Sequence, residues 1–198
     1  AERALLEERA GGVVPVVLRL ASLFGLSPRP RFDLTVNELA ARAALGRRVD
    51  LLGGTARRPF LHVRDAARAI AAVVEAPTDR VSERIFNLGS DAGLASALEL
   101  GEIIARVVPE ARRVRRDCGV AANAPRISFA RFSRAFGFLP RYDLHDGVGE
   151  IVAAVRTGRV CDPTAPRFHN HDALADPAVQ RRLRRHGPAV ESQLGATP

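Results

Sequence analysis

The stretch Val13-Val14-Pro15-Val16-Val17-Leu18-Arg19-Leu20, followed by Ala21-Ser22-Leu23-Phe24-Gly25, sets the strongest condition on how this chain can fold. It is short, apolar except for Arg19 and rich in β-branched residues, and a small-polar-to-glycine break ends it. That pattern reads as a strand buried on both faces, as in a parallel sheet covered by helices. Such a strand needs parallel neighbours on each side. The rest of the sequence is therefore read for the strands and crossover helices that could supply them.

Helix and strand signals alternate along the chain. Residues 1–10 read as a charged helix, with Leu5 and Leu6 inward and Gly11-Gly12 as a left-handed cap. A loop follows from Leu26 to Phe32, where Pro28 and Pro30 forbid regular structure. Asp33 is the expected N-cap of a helix over about Leu34–Leu45. Val49–Leu52 reads as a short strand and Gly53-Gly54-Thr55 as a turn, and a helix opens at Arg64-Asp65 and runs to about Glu75. Arg84–Leu88 is the next strand, then a helix over about Ser96–Val108 and a strand over Arg112–Arg116. Phe129–Phe136 reads as a short helix. Asp143–Arg156 reads as an amphipathic one, with Leu144, Val148, Ile151, Val152 and Val155 at helical spacing. This alternation predicts an α/β fold with parallel pairing. From Thr157 onward no periodic face persists, and a loosely packed extension is expected.

Composition excludes several classes. At 198 residues and 46% hydrophobic content the chain is long enough for one or two cored domains. No apolar run approaches the roughly 20 residues of a membrane span, and the first residues do not read as a secretion signal, so a cytoplasmic protein is expected. In that compartment Cys118 and Cys161 are expected as free thiols. All 30 basic residues are arginine, the formal charge is +8, and there is no methionine, which points to processing or truncation. Such a charge attracts polyanions, but the arginines are scattered and not interleaved with aromatics, so a solvated arginine surface is preferred to a nucleic-acid interface. The run Arg181-Arg182-Leu183-Arg184-Arg185 is read the same way. His169-Asn170-His171 with Cys161 matches no standard metal-ligand spacing, and no metal site is expected. His62, on an apolar strand, reads as a hydrogen-bonded core histidine.

Four segments, in this order, resemble the extended short-chain dehydrogenase/reductases, the NAD-dependent epimerase/dehydratase group that acts on nucleotide sugars. They are Leu18-Arg19-Leu20-Ala21-Ser22-Leu23-Phe24-Gly25, Arg31-Phe32-Asp33-Leu34-Thr35-Val36-Asn37, Arg58-Pro59-Phe60-Leu61-His62-Val63-Arg64-Asp65-Ala66-Ala67-Arg68-Ala69, and Phe86-Asn87-Leu88-Gly89. The resemblance covers residues 1 to about 157. It implies a partial Rossmann-type fold, a parallel sheet with flanking helices, plus a small C-terminal substrate-binding lobe. Residues 1–25 and 62–90 would form the Rossmann-type part, 26–61 and 91–157 the lobe, and 158–198 the extension. The family's Gly-rich cofactor loop and its Tyr-x-x-x-Lys are absent from this sequence, whose one tyrosine is Tyr142 and which has no lysine. The chain therefore reads as a C-terminal portion beginning just after the catalytic motif, without the N-terminal cofactor-binding strands.

By the same resemblance the complete enzyme would use NAD or NADP for transient hydride transfer from the sugar. Whether this chain is itself an enzyme stays open; alone it is expected to be inactive, with no catalytic residue assigned. The positions that match the family would serve the substrate. Ser22 would contact the sugar or its phosphate, where many members have Asn. Asn37 would hydrogen-bond the diphosphate, Arg58 would bind it through two guanidinium nitrogens, and Arg126 lies near a second nucleotide site. The Asp, Arg and Tyr usual in that last segment are replaced by Ala121 or Ala122, Asn123 and Pro125. Leu20 would stand against the nicotinamide as an apolar wall. Each has a plainer counterpart: Ser22 as a strand end, Asn37 as a satisfied helix residue, Arg58 as a surface charge. The expected partners are a nucleotide sugar and either a second copy or a complementary chain carrying the other half. A non-catalytic binding or assembly module of the same descent is the alternative function.

Overall fold

A computed structural model describes residues 2–7, 14–52, 55–116, 127–177, 179 and 181. Eight α-helices and seven strands lie within them: α1 (Glu2–Glu7), β1 (Val17–Leu20), β2 (Ser22–Phe24), α2 (Thr35–Ala44), β3 (Val49–Leu52), β4 (Arg58–His62), α3 (Val63–Val74), α4 (Thr78–Val81), β5 (Ile85–Leu88), β6 (Leu94–Ala95), α5 (Ala97–Val107), β7 (Arg113–Arg116), α6 (Ala130–Phe136), α7 (Leu144–Arg156) and α8 (Asn170–Ala175). Three of the pairings are parallel, β1 with β5, β2 with β4 and β3 with β7, and β4 with β6 is antiparallel. Parallel strands need a crossover, and the intervening helices supply it. The α/β architecture of parallel strands flanked by helices is the one expected.

The opening stretch departs from expectation. Instead of one doubly buried strand, it is two short ones that change partner at Ala21, whose N–H donates to Leu88 O at 2.8 Å while Ser22 already pairs across to Phe60. Arg19 and Leu20 are exposed, and β5 is the one described neighbour of β1. Val13 and the Gly11-Gly12 cap lie outside the described residues. Leu20 at the end of β1 and Val14 ahead of it are exposed.

Alternation along β2 and β4 divides the interior. Phe24 and Phe60 join a core with α2, α5 and α7, in which Val36, Leu100, Ile104, Val148 and Ile151 are fully enclosed. Leu23 and Leu61 face a second core built from α3, β5 and α6. Its centre is aromatic: Phe132 stacks on Phe136 at 4.6 Å and meets Phe86 and Phe138 edge-on at 5.6 and 5.2 Å. Rings this buried contribute on the order of 2–3 kcal/mol each from area alone.

Caps fix the helix boundaries. Ser96 and Asp143 each form a reciprocal capping box, with Glu99 and Asp146. Asp33 does not cap α2. Its carboxylate takes the Arg31 guanidinium in a two-point bond at 3.0 and 2.8 Å and accepts the Asn170 N–H at 3.2 Å. Residues 158–175, expected to be loose, are therefore docked. Val160 and Phe168 are buried in the first core, Phe32 N–H donates to Phe168 O at 3.0 Å, and the two rings meet edge-on. One ring pair, a buried valine and two hydrogen bonds hold the segment without a periodic face. Cys161 carries a free, exposed thiol; Cys118 and Arg182, Arg184 and Arg185 lie outside the described residues. No described helix is long and apolar enough to cross a membrane.

Candidate functional site

Parallel pairing of β2 with β4 sets Ser22 opposite Phe60 and Phe24 opposite His62. Side chains two apart on a strand share a face, so Arg58, Phe60 and His62 line up beside Ser22 and Phe24. The outer end of this row opens into a cleft of about 470 Å³ lined by Ser22, Thr35, Asp50, Leu52, Arg58 and Ser96 among others. Ser22 and Arg58 thus share one cavity, although they lie far apart in sequence.

The charges around the cleft are mostly matched. Glu38 pairs with Arg42 at 3.1 Å, and Asp50 takes both Arg48 at 3.0 Å and Arg116 at 2.9 Å. The Arg116 guanidinium holds the Asp50 carboxyl below its usual range, with Arg48 adding to the effect. Arg57 is engaged by Glu99 at 3.2 Å and by Leu94 O at 2.7 Å. Arg58 differs from its neighbours. It is exposed, and although its backbone pairs with Ala95 in the β4–β6 ladder, no described residue makes a hydrogen bond or ion pair with its guanidinium. An uncommitted guanidinium at the mouth of a polar cleft is a receptor for a planar or tetrahedral anion.

The other candidate residues fall around this wall. Leu20, 43% exposed, lines a neighbouring hollow of about 520 Å³ with Arg19, Ser22, Asn87 and Phe129. It offers an apolar surface there. Asn37 borders a third hollow but is buried, 2% exposed, and its amide is committed to backbone. Its Oδ1 accepts the Gly25 N–H at 2.9 Å, and its Nδ2 donates to Arg31 O at 3.0 Å and to Gly25 O at 3.4 Å. Asn37 therefore fastens the Gly25–Arg31 loop to α2. Arg126, with Ala121, Ala122, Asn123 and Pro125, lies outside the described residues.

The inner end of the row holds a second constellation. His62 is fully buried, and its Nδ1 accepts the Arg64 N–H at 3.2 Å, which also caps α3. Its Nε2 meets Glu150 Oε1 at 2.8 Å, and the same oxygen accepts the Leu26 N–H. Beside it, Asp65 is also fully buried; it takes Arg68 at 2.6 Å and the N–H groups of Arg141 and Tyr142 at 2.9 and 3.0 Å. The core role read for His62 is what the structure shows. Glu150 was not singled out from sequence: on an amphipathic helix it looks like any solvent-facing acid.

Residues 1–89 match the NAD dependent epimerase/dehydratase family. The match bears out the resemblance carried by the four motifs, and it spans Leu20, Ser22, Asn37, Arg58 and His62. Solved structures of such proteins share the fold. The RMD protein of Pseudomonas aeruginosa, complexed with NADPH, superposes with a TM-score of 0.67 at 21% identity, over 81% of this chain and 54% of its own. The UDP-glucuronic acid 4-epimerase of Bacillus cereus, in complex with UDP-glucuronic acid and NAD, gives 0.61 at 20% identity, over 72% and 45%. The epimerase Mth375 of Methanothermobacter thermautotrophicus gives 0.64 at 17%, over 80% and 48%. The chain thus spans about half the length of these structures. Cofactors occur with the family: neighbours were crystallised with NAD or NADPH. The described residues here fit such a group poorly. They include no strand, Gly-rich loop and helix N-terminus in succession to hold a pyrophosphate, and no hydride step is assigned to them.

Proposed function

We propose that this chain forms the nucleotide-sugar side of the cleft of an NAD-dependent epimerase/dehydratase, and that Arg58 receives the diphosphate of the substrate. The observation that carries this reading is that, among the described residues, the guanidinium of Arg58 is uncommitted in the cleft it shares with Ser22. The pairing of the surrounding charges supports it, since a dianion entering there meets a positive charge with no carboxylate already on it. Ser22 would offer a hydroxyl to the sugar or its phosphate, and Leu20 would bound the nicotinamide. Asn37 would act on the diphosphate through the loop it holds, and Arg126 is kept as a second contact to the nucleotide. The chain alone is expected not to turn over substrate, the Tyr-x-x-x-Lys being absent from its sequence.

Titration with UDP by calorimetry tests the reading. A charge-assisted hydrogen bond is worth about 1.5–3 kcal/mol, so Arg58→Ala should weaken UDP roughly 10- to 100-fold, with the fold retained. Equal affinity in the variant, or no affinity in the parent chain, refutes the assignment. NAD-dependent turnover of a nucleotide sugar by the chain alone would contradict the expected inactivity.

A second reading is an assembly module that pairs with another copy or with a complementary chain. It is favoured by the edge of β1 away from β5, which has no described partner, and by the exposed Val14 and Leu20 beside it. Sedimentation analysis separates the two: a monomer at micromolar concentration counts against self-pairing.

A further inference from the structure

We propose that His62 and Glu150 are positioning residues for the cleft, holding the β2–β4 ribbon in the register that sets Ser22 beside Arg58. The inference rests on the diphosphate reading above. It begins with the row of side chains on one face of the ribbon: Arg58 and Ser22 at the cleft, Phe60 and Phe24 next, His62 at the inner end. Whatever fixes the inner end fixes the outer one, because each strand moves as a unit along its ladder.

Ring packing, hydrogen bonds to both imidazole nitrogens and the Glu150 carboxylate fix the inner end. Phe24 and Tyr142 enclose the imidazole, one ring edge-on at 5.2 Å and the other stacked at 4.6 Å. The bond from Arg64 N–H occupies Nδ1, so a neutral ring carries its proton on Nε2 and donates it to Glu150 Oε1. That oxygen also receives the Leu26 N–H, and Oε2 pairs with Arg64 at 3.2 Å. One carboxylate on α7 thereby ties the end of β4 to the first residues after β2. Asn37 ties the same loop to α2 from the other side. There is no slack in the arrangement: a Cβ at Gly25 would overlap His62 and one at Gly147 would overlap Phe24. Apolar side chains in such a place would avoid the desolvation cost of a buried charged pair. What an apolar filling lacks is direction. A shared oxygen with two donors accepts one relative placement of β4 and the loop.

Glu150→Gln and Glu150→Ala in the full chain test the proposal. Gln keeps an oxygen for the two donors but loses the charge; Ala loses everything. Two measurements are made at 10 °C on protein shown to be folded by circular dichroism: UDP affinity, and amide hydrogen exchange by NMR. The expected order of UDP affinity is parent, Gln, Ala, with Ala weaker by about tenfold or more. Exchange should accelerate at Gly25 and Leu26 and also at Ser22 to Phe24, while amides of α5 remain as in the parent. A role in stability alone lowers the melting temperature but leaves the affinity of folded protein unchanged, and that result overturns the proposal. Where Glu150→Ala does not fold, Glu150→Gln with His62→Gln carries the same comparison. If the parent chain does not bind UDP, the diphosphate reading fails by itself. The exchange data then decide: acceleration that reaches Ser22 sustains the positioning role, and acceleration confined to Gly25 and Leu26, or none, ends it.

Discussion

Replacing Asn37 with alanine should cost this protein a substantial part of its stability. The side chain bonds the N–H of Gly25 at 2.9 Å and the carbonyls of Arg31 and Gly25 at 3.0 and 3.4 Å, from a position 2% exposed. Alanine strands the Gly25 N–H in a buried site and leaves the Arg31 carbonyl partly buried. A stranded buried group costs about 1–3 kcal/mol. Water can reach the Arg31 carbonyl, so the sum comes to about 3 kcal/mol. Against a typical total of about 5–15 kcal/mol that is a large fraction, and for a chain of this length it lowers the melting temperature by roughly 6–12 °C. Urea denaturation followed by circular dichroism measures it. Asn37→Asp adds a sign. An aspartate keeps the acceptor for Gly25 N–H but turns its other oxygen toward two carbonyls, so burial and those oxygens raise its folded pKa. The variant should be closest to the parent below about pH 4 and fall behind as pH rises. A loss under about 0.5 kcal/mol in Asn37→Ala would show that the loop does not depend on this amide and that the geometric argument is wrong.

Asp65→Ala should destabilise by about 3–5 kcal/mol, since it removes the carboxylate that meets Arg68 and two backbone N–H groups in a fully enclosed site; unfolding titrations give the value, and exchange at Arg141 and Tyr142 should rise with it. Gly147→Ala places a methyl group inside the Phe24 ring and should cost about 1–3 kcal/mol, a loss that a smaller residue at position 24, tested as a double variant, should partly restore. Asp33 is held down to about 2, first by Arg31, and the N–H of Asn170 adds to this. A depressed folded pKa gives stability that is present above the unfolded value near 4 and is lost as pH falls toward 2. The difference in melting temperature between the parent and Asp33→Asn should therefore shrink over that interval, and a constant difference contradicts the assignment.

Most helices were legible because their punctuation is local. Ser96 with Glu99, and Asp143 with Asp146, stand three residues apart and declare the start of α5 and α7 before any packing is known. Ser22 and Arg58 were also found from motifs, and their meeting in one cleft follows from strand pairing that the motifs do not spell out. Glu150 was not legible. Its partners His62 and Leu26 lie 88 and 124 residues away, and nothing in the neighbourhood of an acid on a surface-facing helix announces such a bond. Asp33 misled for the opposite reason: a good cap residue stood at the right place, and a tertiary partner, Asn170, competed for it. Residues 158–175 gave no periodic signal because one aromatic contact, Phe32 with Phe168, the buried Val160 and the Asp33–Asn170 bond do the work that periodicity usually advertises.

The strand β4 runs from Arg58 to His62 without interruption and sends Phe60 into one core and Leu61 into the other. The ribbon of β2 and β4 is a party wall. Two compartments that share a wall cannot hinge about it, because any rotation of one against the other would shear hydrogen bonds that both require. Adjustment of the cleft to a ligand should therefore come from side chains at its rim, such as Arg58, not from lobes closing like jaws. Neighbouring positions in the wall also answer to different interiors. A change of volume at Phe60 is absorbed among α2, α5 and α7, while one at Leu61 is absorbed among α3 and α6, so each compartment is free to drift in composition while the partition between them stays put.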